Sequence, residues 1–511
     1  MNNNQLSKNP VLSFASDATT ATHDVSEEFV LPDYVSEVRR VLFTRAQVLP
    51  ESKYISDSQS GTMLDIGGTV TYSVIYVDDE GKLCSTPLCS SYEASVPLKS
   101  KAHTIFVDTV CDNVTTRVSA PRRLTIKTRL KSRILGVDDR EISEGISGKS
   151  SADELFIERR CESVNTFSVA TGVLSGIKIS EKLDTGSKKD IRVVLCDANI
   201  ILKEIKATNG GASCQGEVIV KCVCESEGEL FTLSKSLPVY ECVELEGACP
   251  SDTIRALARC VSLSIFNEEQ NDKSELCFDV CCEIEAEAYR NTESSVVLDC
   301  YSTKNEMSVS YRECELFKLA SGACESFAIN EGVKRKGKDA KEIVDIILDP
   351  VFEKCDLNGD KGVIVGRLCV GVIGKGAPQE NGECEYYFES YELPIKYELP
   401  LSSKVSAGLA RASFGVCLTD ARLSDDKLHL SAQLYPSVCV LERDTIQIVN
   451  GATINRDVEF KNDASCVRVY FPSEGDTLWE IAKRYHTTEK KLSEENQLSD
   501  AELDGVKSLI I

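Results

Sequence analysis

Short runs of alternating apolar and polar residues, rich in β-branched side chains, recur through most of this chain of 511 residues. Clear examples are residues 69–74, 217–222 and 367–372. A period of two places the apolar side chains on one face of a strand. Turn sequences such as Asn209-Gly210-Gly211 separate the runs, which is typical of hairpins. The pattern therefore predicts a mainly β fold.

Three of the alternating runs align with one another. Each opens with a glycine and is followed 29 to 35 residues later by a strand that ends in leucine. The glycines are Gly68, Gly216 and Gly366, and the leucines are Leu98, Leu245 and Leu401. A single hydrophobic core stops growing at about 250–300 residues, so a chain of this length divides into several domains. We therefore interpret the pattern as a diverged threefold repeat of β domains.

Changes in composition predict the domain boundaries. Residues 1–28 are rich in Asn, Ser, Thr and Ala without periodicity, which indicates a flexible tail. Residues 332–338 are charged and bounded by glycine, which is typical of a linker. We expect β domains at 29–165, 166–331 and 339–463, arranged as separate units in a row, and a small C-terminal domain at 464–511.

The charge balance argues against a nucleic-acid partner. Asp and Glu number 81 against 58 Lys and Arg, a net charge of -23, which repels phosphate. One basic stripe, Lys127, Arg129, Lys131 and Arg133, interrupts this balance. It could dock an anionic membrane surface or an acidic partner, although a solvated or paired sheet face is the favoured interpretation.

The N-terminus shows no basic and apolar segments of a secretory signal, and no apolar run reaches the ~20 residues that span a bilayer. We therefore expect a soluble protein without a transmembrane segment, retained in the cytoplasm. The 23 cysteines are odd in number and form no Cys-x-x-Cys pair. That pattern favours reduced, buried thiols over a disulfide framework or a structural zinc site.

Catalytic motifs are missing from the sequence. It contains four histidines and no Gly-x-Ser-x-Gly, phosphate-binding loop or His-Glu-x-x-His. We expect the protein not to be an enzyme, and we expect no cofactor and no metal.

The last 45 residues change to a βααβ pattern. Residues 467–471 predict a strand, and Thr477 and Glu480 have the spacing of a capping box at the start of a helix. Apolar residues then recur at helical spacing, at Leu478, Ile481, Ala482 and Tyr485. A second helix ends near Asn496, and residues 509–511 predict a returning strand.

This segment resembles the LysM module. The resemblance rests on Tyr470, Gly475-Asp476-Thr477-Leu478-Trp479, Ile481-Ala482, Tyr485, Leu492, Asn496, Gly505 and Leu509-Ile510. In that family two loops form a shallow groove for N-acetylglucosamine chains. By position, the resemblance implies a groove in which Gly475, Asp476, Thr477 and Leu478, with the adjoining Trp479, face Asn496, Gln497 and Leu498.

The β repeats resemble the SPOCS domain of spore-forming Firmicutes, because each has a Gly-led alternating strand and the first has an acidic hairpin at 76–80. SPOCS repeats followed by LysM resemble the SipL-type spore morphogenesis proteins. The resemblance implies tandem β-sandwich-like domains, a place on the mother-cell side of the forespore surface, and binding to the coat-basement ATPase called stage IV sporulation protein A. The favoured interpretation is a spore envelope assembly protein; the alternative is a peptidoglycan-binding or N-acetylglucosamine-binding protein.

Overall fold

The computed structural model describes residues 11–511, except 59–60, 100–101, 142–145, 148–155, 187, 189, 271–272, 338, 379–383, 406, 425, 461–466, 499–502 and 504–505. The described residues form long β-strands up to residue 459 and a small βααβ module at the C-terminus. The prediction of a mainly β chain with a C-terminal βααβ module is confirmed.

The strands of the first third are β1 (Val11–Val30), β2 (Val38–Ser58), β3 (Gly61–Asp78), β4 (Leu83–Pro97), β5 (Thr104–Ala120), β6 (Arg123–Glu141) and β7 (Ile146–Ser147). The next are β8 (Ile157–Leu183), β9 (Arg192–Thr208), β10 (Gly211–Ser226), β11 (Glu229–Glu244), β12 (Thr253–Gln270) and β13 (Lys273–Ser302). Then follow β14 (Asn305–Ala323), β15 (Phe327–Lys334), β16 (Ala340–Gly376), β17 (Tyr386–Val405), β18 (Gly408–Leu423) and β19 (Lys427–Glu459). The C-terminal module contains β20 (Val469–Tyr470), α1 (Leu478–Arg484), α2 (Glu489–Asn496) and β21 (Leu509–Ile510).

The strands form three units with the same order of pairing. Unit 1 consists of the sheets β2-β3-β4 and β1-β6-β5, and unit 2 of β9-β10-β11 and β8-β13-β12. Unit 3 places β16 and β17 opposite a sheet in which β19 pairs with β14, β15 and β18. In unit 3 the single strand β16 occupies two strand positions, because it folds back near Gly359 (φ +64°). Glu353 and Arg367, on the two sides of this fold, form an ion pair at 2.7 Å.

Each unit buries a hydrophobic core between its two sheets. In unit 1, Val70 and Val74 of β3 pack with Leu124 and Leu130 of β6. Corresponding clusters join β10 to β13 in unit 2 and β16 to β19 in unit 3. The leucines that close the sequence repeat are buried in all three units. The alternating pattern therefore supplies the inner faces of three β-sandwiches.

The repeated glycines occupy equivalent places in the three units. A Cβ on Gly68 would lie 2.3 Å from the carbonyl oxygen of Leu49, and a Cβ on Gly366 would lie 2.4 Å from that of Val351. For Gly216 the corresponding distance, to the oxygen of Ile201, would be 1.9 Å. Each glycine thus permits a close approach of the neighbouring strand, for which a side chain leaves no room.

The units are not separate domains in a row. Phe14 of β1 pairs with Leu316 of β14, which joins strands of units 1 and 3 in one eight-stranded sheet of the described chain. Phe106 of unit 1, Tyr289 of unit 2 and Leu441 of unit 3 share one apolar cluster. A second cluster joins residues of β3, β9 and β16. The expectation of three independent domains is therefore corrected: the units share cores.

Ion pairs also cross between the units. Arg45 of β2 contacts Asp197 of β9 and Asp349 of β16, each at 2.7 Å. At a second junction, Asp108 of β5 lies 3.3 Å from Arg255 of β12 and 3.1 Å from Arg411 of β18. Both arginines also contact Glu287 of β13. Ion pairs thus connect charged side chains of all three units.

The boundaries predicted from composition differ from those of the units. Unit 1 begins within the predicted tail of residues 1–28, because β1 pairs with β6 from Val11 to Val30. The predicted domain 166–331 begins inside β8 and ends inside β15. The predicted linker 332–338 starts in β15, and its Arg335 forms a buried ion pair with Glu389 at 3.1 Å. The described part of these residues is therefore neither a free tail nor an open linker, since strand pairing and ion pairing hold it.

The basic stripe of β6 lies between β1 and β5. Arg129 pairs with Asp24 at 2.9 Å, and the guanidinium of Arg133 lies 4.9 Å from the centre of the Phe352 ring. These contacts favour the interpretation of a paired sheet face over a membrane-docking surface. Within the described residues, neither helix has the length and apolar character needed to cross a bilayer.

Candidate functional site

The C-terminal module, residues 467–511, is built by capped helices around a small core. The Thr477 hydroxyl accepts a hydrogen bond from the Glu480 N–H at 3.2 Å and so caps α1. Thr488 caps α2 in the same way through the Lys491 N–H at 3.0 Å. Each threonine binds an N–H that has no partner within the helix. The core of the module contains Leu478, Ile481, Ala482, Leu492 and Leu509.

The first predicted groove loop is held by Asp476. Its carboxylate accepts hydrogen bonds from the Tyr470 hydroxyl at 2.7 Å and the Ser473 N–H at 2.8 Å. Because these bonds favour the charged form, the N–H of Ser473 and then the hydroxyl of Tyr470 lower the pKa of Asp476. Gly475 has φ +94°, a left-handed conformation suited to glycine. Asp476 therefore shapes the loop, and Gly475 and Thr477 lie exposed on it.

The second predicted loop is held by Asn496. Its amide donates to the carbonyl oxygen of Ile510 at 2.8 Å and accepts from the Ile510 N–H at 2.6 Å. Gln497 follows with φ 56° as the C-cap of α2 and is exposed, while Leu498 is half-buried against the core of the module. Asn496 thus fixes the chain at the end of α2 to β21.

The two loops are anchored to the same small sheet. Tyr470, which holds Asp476, pairs with Leu509, and the neighbouring Val469 pairs with Ile510, which holds Asn496. The structure therefore attaches both predicted loops to paired strands and leaves Gly475, Thr477 and Gln497 accessible. Leu478 contributes its side chain to the core rather than to the surface.

Trp479 is not part of this accessible surface. Its side chain is 6% exposed and packs edge-on against Tyr301 of β13, with ring centres 4.9 Å apart. The indole N–H donates to Asp299 at 2.8 Å. The resemblance places Trp479 beside the groove, but the structure buries its side chain against β13. The reason is a contact with a distant strand, which helical periodicity does not reveal.

Sequence reasoning missed the residues of β13 and β14 that contact the module. Asp299 and Tyr301 of β13 and Tyr311 of β14 all take part. These residues stand some 170 to 190 positions from their partners in the chain. No motif or spacing near them signals the contact.

A cavity lies where the three units meet. Its volume is about 360 Å³, and its wall includes Arg45, Asp197, Lys221 and Asp345 together with apolar side chains of all three units. The charges pair within the wall, Arg45 with Asp197 and Lys221 with Asp345. Burial raises the pKa of Asp345, while Lys221 opposes that effect. Among the described residues no group of three or more His, Cys, Asp or Glu side chains has the arrangement of a metal site.

Comparison with known proteins identifies one domain. Residues 473–504 match the LysM domain family. No curated protein and no solved structure matches the chain. The resemblance of the β units to SPOCS repeats, and of the whole chain to SipL-type proteins, therefore stays a prediction. A LysM domain indicates binding of peptidoglycan or a related glycan; the C-terminal module of this chain is a LysM domain.

Proposed function

We propose that this protein is a non-enzymatic glycan-binding protein, in which the LysM domain binds N-acetylglucosamine-containing chains and the three β units form its scaffold. The observation that carries the proposal is the LysM match at 473–504. The accessible positions Gly475, Thr477 and Gln497 support it, because they lie on the two loops expected to bind sugar. The contact of α1 with β13 leaves these positions uncovered.

Titration calorimetry of the full chain with chitin oligomers tests the proposal. We expect saturable binding that is lost in Gln497→Arg, because a long charged side chain would enter the groove. Lys490→Ala, an exposed position on α2, is the matched control and should bind like the wild type. Failure of the wild-type chain to bind chitin oligomers or peptidoglycan fragments would contradict the proposed function.

We propose as a second candidate that the LysM domain binds a protein during spore envelope assembly, namely a stage IV sporulation protein A-type ATPase on the mother-cell side of the forespore. An apolar face formed by exposed residues in and next to β20 and β21 favours a protein partner. Val467 is 77% exposed, Val469 52%, Phe471 71% and Ile510 49%. A cluster of this kind is typical of protein contact surfaces.

Titration with that ATPase separates the two candidates. If the second candidate holds, the ATPase binds the full chain and Phe471→Ser weakens binding at least tenfold, because the most accessible ring of the face is lost. Lys490→Ala again serves as the control. Equal binding by wild type and Phe471→Ser would exclude this face as the contact surface.

A further inference from the structure

The LysM domain is docked on the β units rather than carried on a free tether. Tyr301 near the end of β13 is 4% exposed and belongs to the same apolar cluster as Trp479, Ile481 and Leu492. Its hydroxyl donates to the carbonyl oxygen of Thr487, in the turn between α1 and α2, at 2.7 Å. One aromatic residue of unit 2 thus completes the core of the LysM domain.

Asp299 is the polar centre of this contact. Its carboxylate accepts hydrogen bonds from the Trp479 indole at 2.8 Å, from the Lys483 ammonium at 2.7 and 2.8 Å, and from the Tyr311 hydroxyl at 2.6 Å. Two of these donors belong to α1, and the third belongs to β14. Burial would raise the pKa of Asp299, but the three donors outweigh it and lower that pKa. A half-buried carboxylate with this many donors is held in one orientation.

The far end of α1 is held as well. His486, which follows α1, stacks on Phe460, which follows β19, with the rings 6° from parallel. Contacts to the β units therefore occur near the start of α1, at Trp479, near its end, at Lys483, and in the turn beyond, at His486 and Thr487. A helix of 7 residues restrained at these points cannot rotate independently of the scaffold.

The restrained helix leads directly into the predicted groove. Leu478 is the first residue of α1, and Thr477, Asp476 and Gly475 precede it in the first groove loop. Any shift of α1 would therefore move Thr477 and the first groove loop relative to the second groove loop, which Asn496 holds. Because a shallow groove depends on the relative position of its two loops, rigid support lowers the ordering cost of binding.

We infer that Asp299 of β13 is a positioning residue for the LysM groove, so that glycan affinity depends on a scaffold residue 174 positions before the domain match begins. The inference rests on the proposed function. Unit 2 thus contributes to glycan recognition through Asp299 without contacting the sugar itself.

The test measures chitin-oligomer affinity of the full chain by calorimetry and, in parallel, the emission of Trp479, the single tryptophan. Asp299→Ala should weaken affinity about tenfold and shift the emission to longer wavelength, because the indole loses its acceptor and gains water. Asp299→Asn retains an acceptor for the indole but no charge for Lys483, so its affinity should be intermediate. Asp279→Ala, an exposed carboxylate on the same strand, is the matched control.

A double-mutant cycle tests whether Asp299 acts through its contact with Lys483. The double variant, Asp299→Ala with Lys483→Met, should lose less affinity than the product of the two single losses, because both substitutions remove the same contact. Unchanged affinity in Asp299→Ala would overturn the inference, whether or not the emission shifts, while leaving the proposed function intact. Absence of glycan binding by the wild-type chain would overturn the proposed function and the inference with it.

Discussion

Asn496 shows how one side chain can determine the shape of a small domain. Its amide group makes hydrogen bonds to the Leu492 carbonyl and to both backbone groups of Ile510, at 2.6–2.8 Å. These bonds join the end of α2 to β21 across 14 residues of chain, part of which forms the second groove loop. A domain of this size has a small core, so such bonds carry a large share of its stability.

Replacement of Asn496 by alanine should destabilise the LysM domain by about 1–3 kcal/mol, because the backbone groups of Ile510 lose their partner. Urea unfolding followed by Trp479 fluorescence measures this effect, since the only tryptophan lies in the domain. Gln497→Gly is the matched control: its backbone is left-handed (φ 56°), so glycine should be neutral or stabilising there. An unchanged midpoint for Asn496→Ala would contradict this role.

At the scale of elements, the repeated glycines explain how one strand arrangement recurs three times. Gly216 of β10 faces the backbone of Ile201 in β9, as Gly68 faces Leu49 and Gly366 faces Val351. The obstructing atoms are backbone carbonyls, which cannot move aside like a flexible side chain. Each of these positions therefore requires a glycine if the two neighbouring strands are to pair there.

Gly216→Ala should destabilise unit 2 by about 3 kcal/mol, because its Cβ would lie 1.9 Å from the Ile201 oxygen and the strands must separate. Denaturant unfolding followed by far-ultraviolet circular dichroism gives the measurement. Gly332→Ala in β15 is the control: its nearest neighbour is the His429 ring at 3.4 Å, an ordinary contact, so a change below about 1 kcal/mol is expected. Equal effects of the two substitutions would show that the close approach is not required.

Elements with short-range signals could be predicted from the sequence, and long-range pairings could not. The first LysM helix was predicted because Thr477 and Glu480 have capping-box spacing and apolar residues follow at helical spacing. The strand β1 was missed because nine of its 20 residues are Ala, Thr or Ser without a regular apolar alternation, and its partner β6 lies about 100 residues later. Asp299 was missed for the same reason, since its partners in α1 are distant in the chain.

At the scale of the whole molecule, a buried charge cluster ties the three units together. Asp108 of unit 1 lies between Arg255 of unit 2 and Arg411 of unit 3, and Glu287 contacts both arginines. Arg411 also stacks over the Phe106 ring at 4.3 Å. Removal of one carboxylate leaves buried positive charge in excess, which is costly in a medium of low polarity.

The cluster predicts how stability depends on pH. Burial by itself would raise the pKa of Asp108, but Arg411 and then Arg255 outweigh it and lower that pKa below the usual value near 3.8. Because the pKa of Asp108 is lower in the folded state than in the unfolded state, its charge contributes its full stabilisation of the fold at pH values above the unfolded-state pKa. That contribution is lost as the pH falls through the folded-state pKa. The wild type should therefore lose stability below about pH 4 as Asp108 gains a proton.

Asp108→Asn is the decisive variant, because the amide keeps the shape of the side chain and removes the charge. At pH 7 it should lower the free energy of unfolding by roughly 3 kcal/mol, at the lower end for a broken buried pair because the side chain retains partial solvent access. Asp24→Asn, whose partner Arg129 is exposed on β6, is the control and should cost about 0.5 kcal/mol or less. Calorimetric unfolding from pH 3 to pH 7 should show that the difference in unfolding free energy between wild type and Asp108→Asn becomes smaller as the pH falls.

Because the cluster joins all three units, the variant should also split a single unfolding transition into separate steps. A constant difference in unfolding free energy across this pH range, with one transition retained, would show that Asp108 does not link the units.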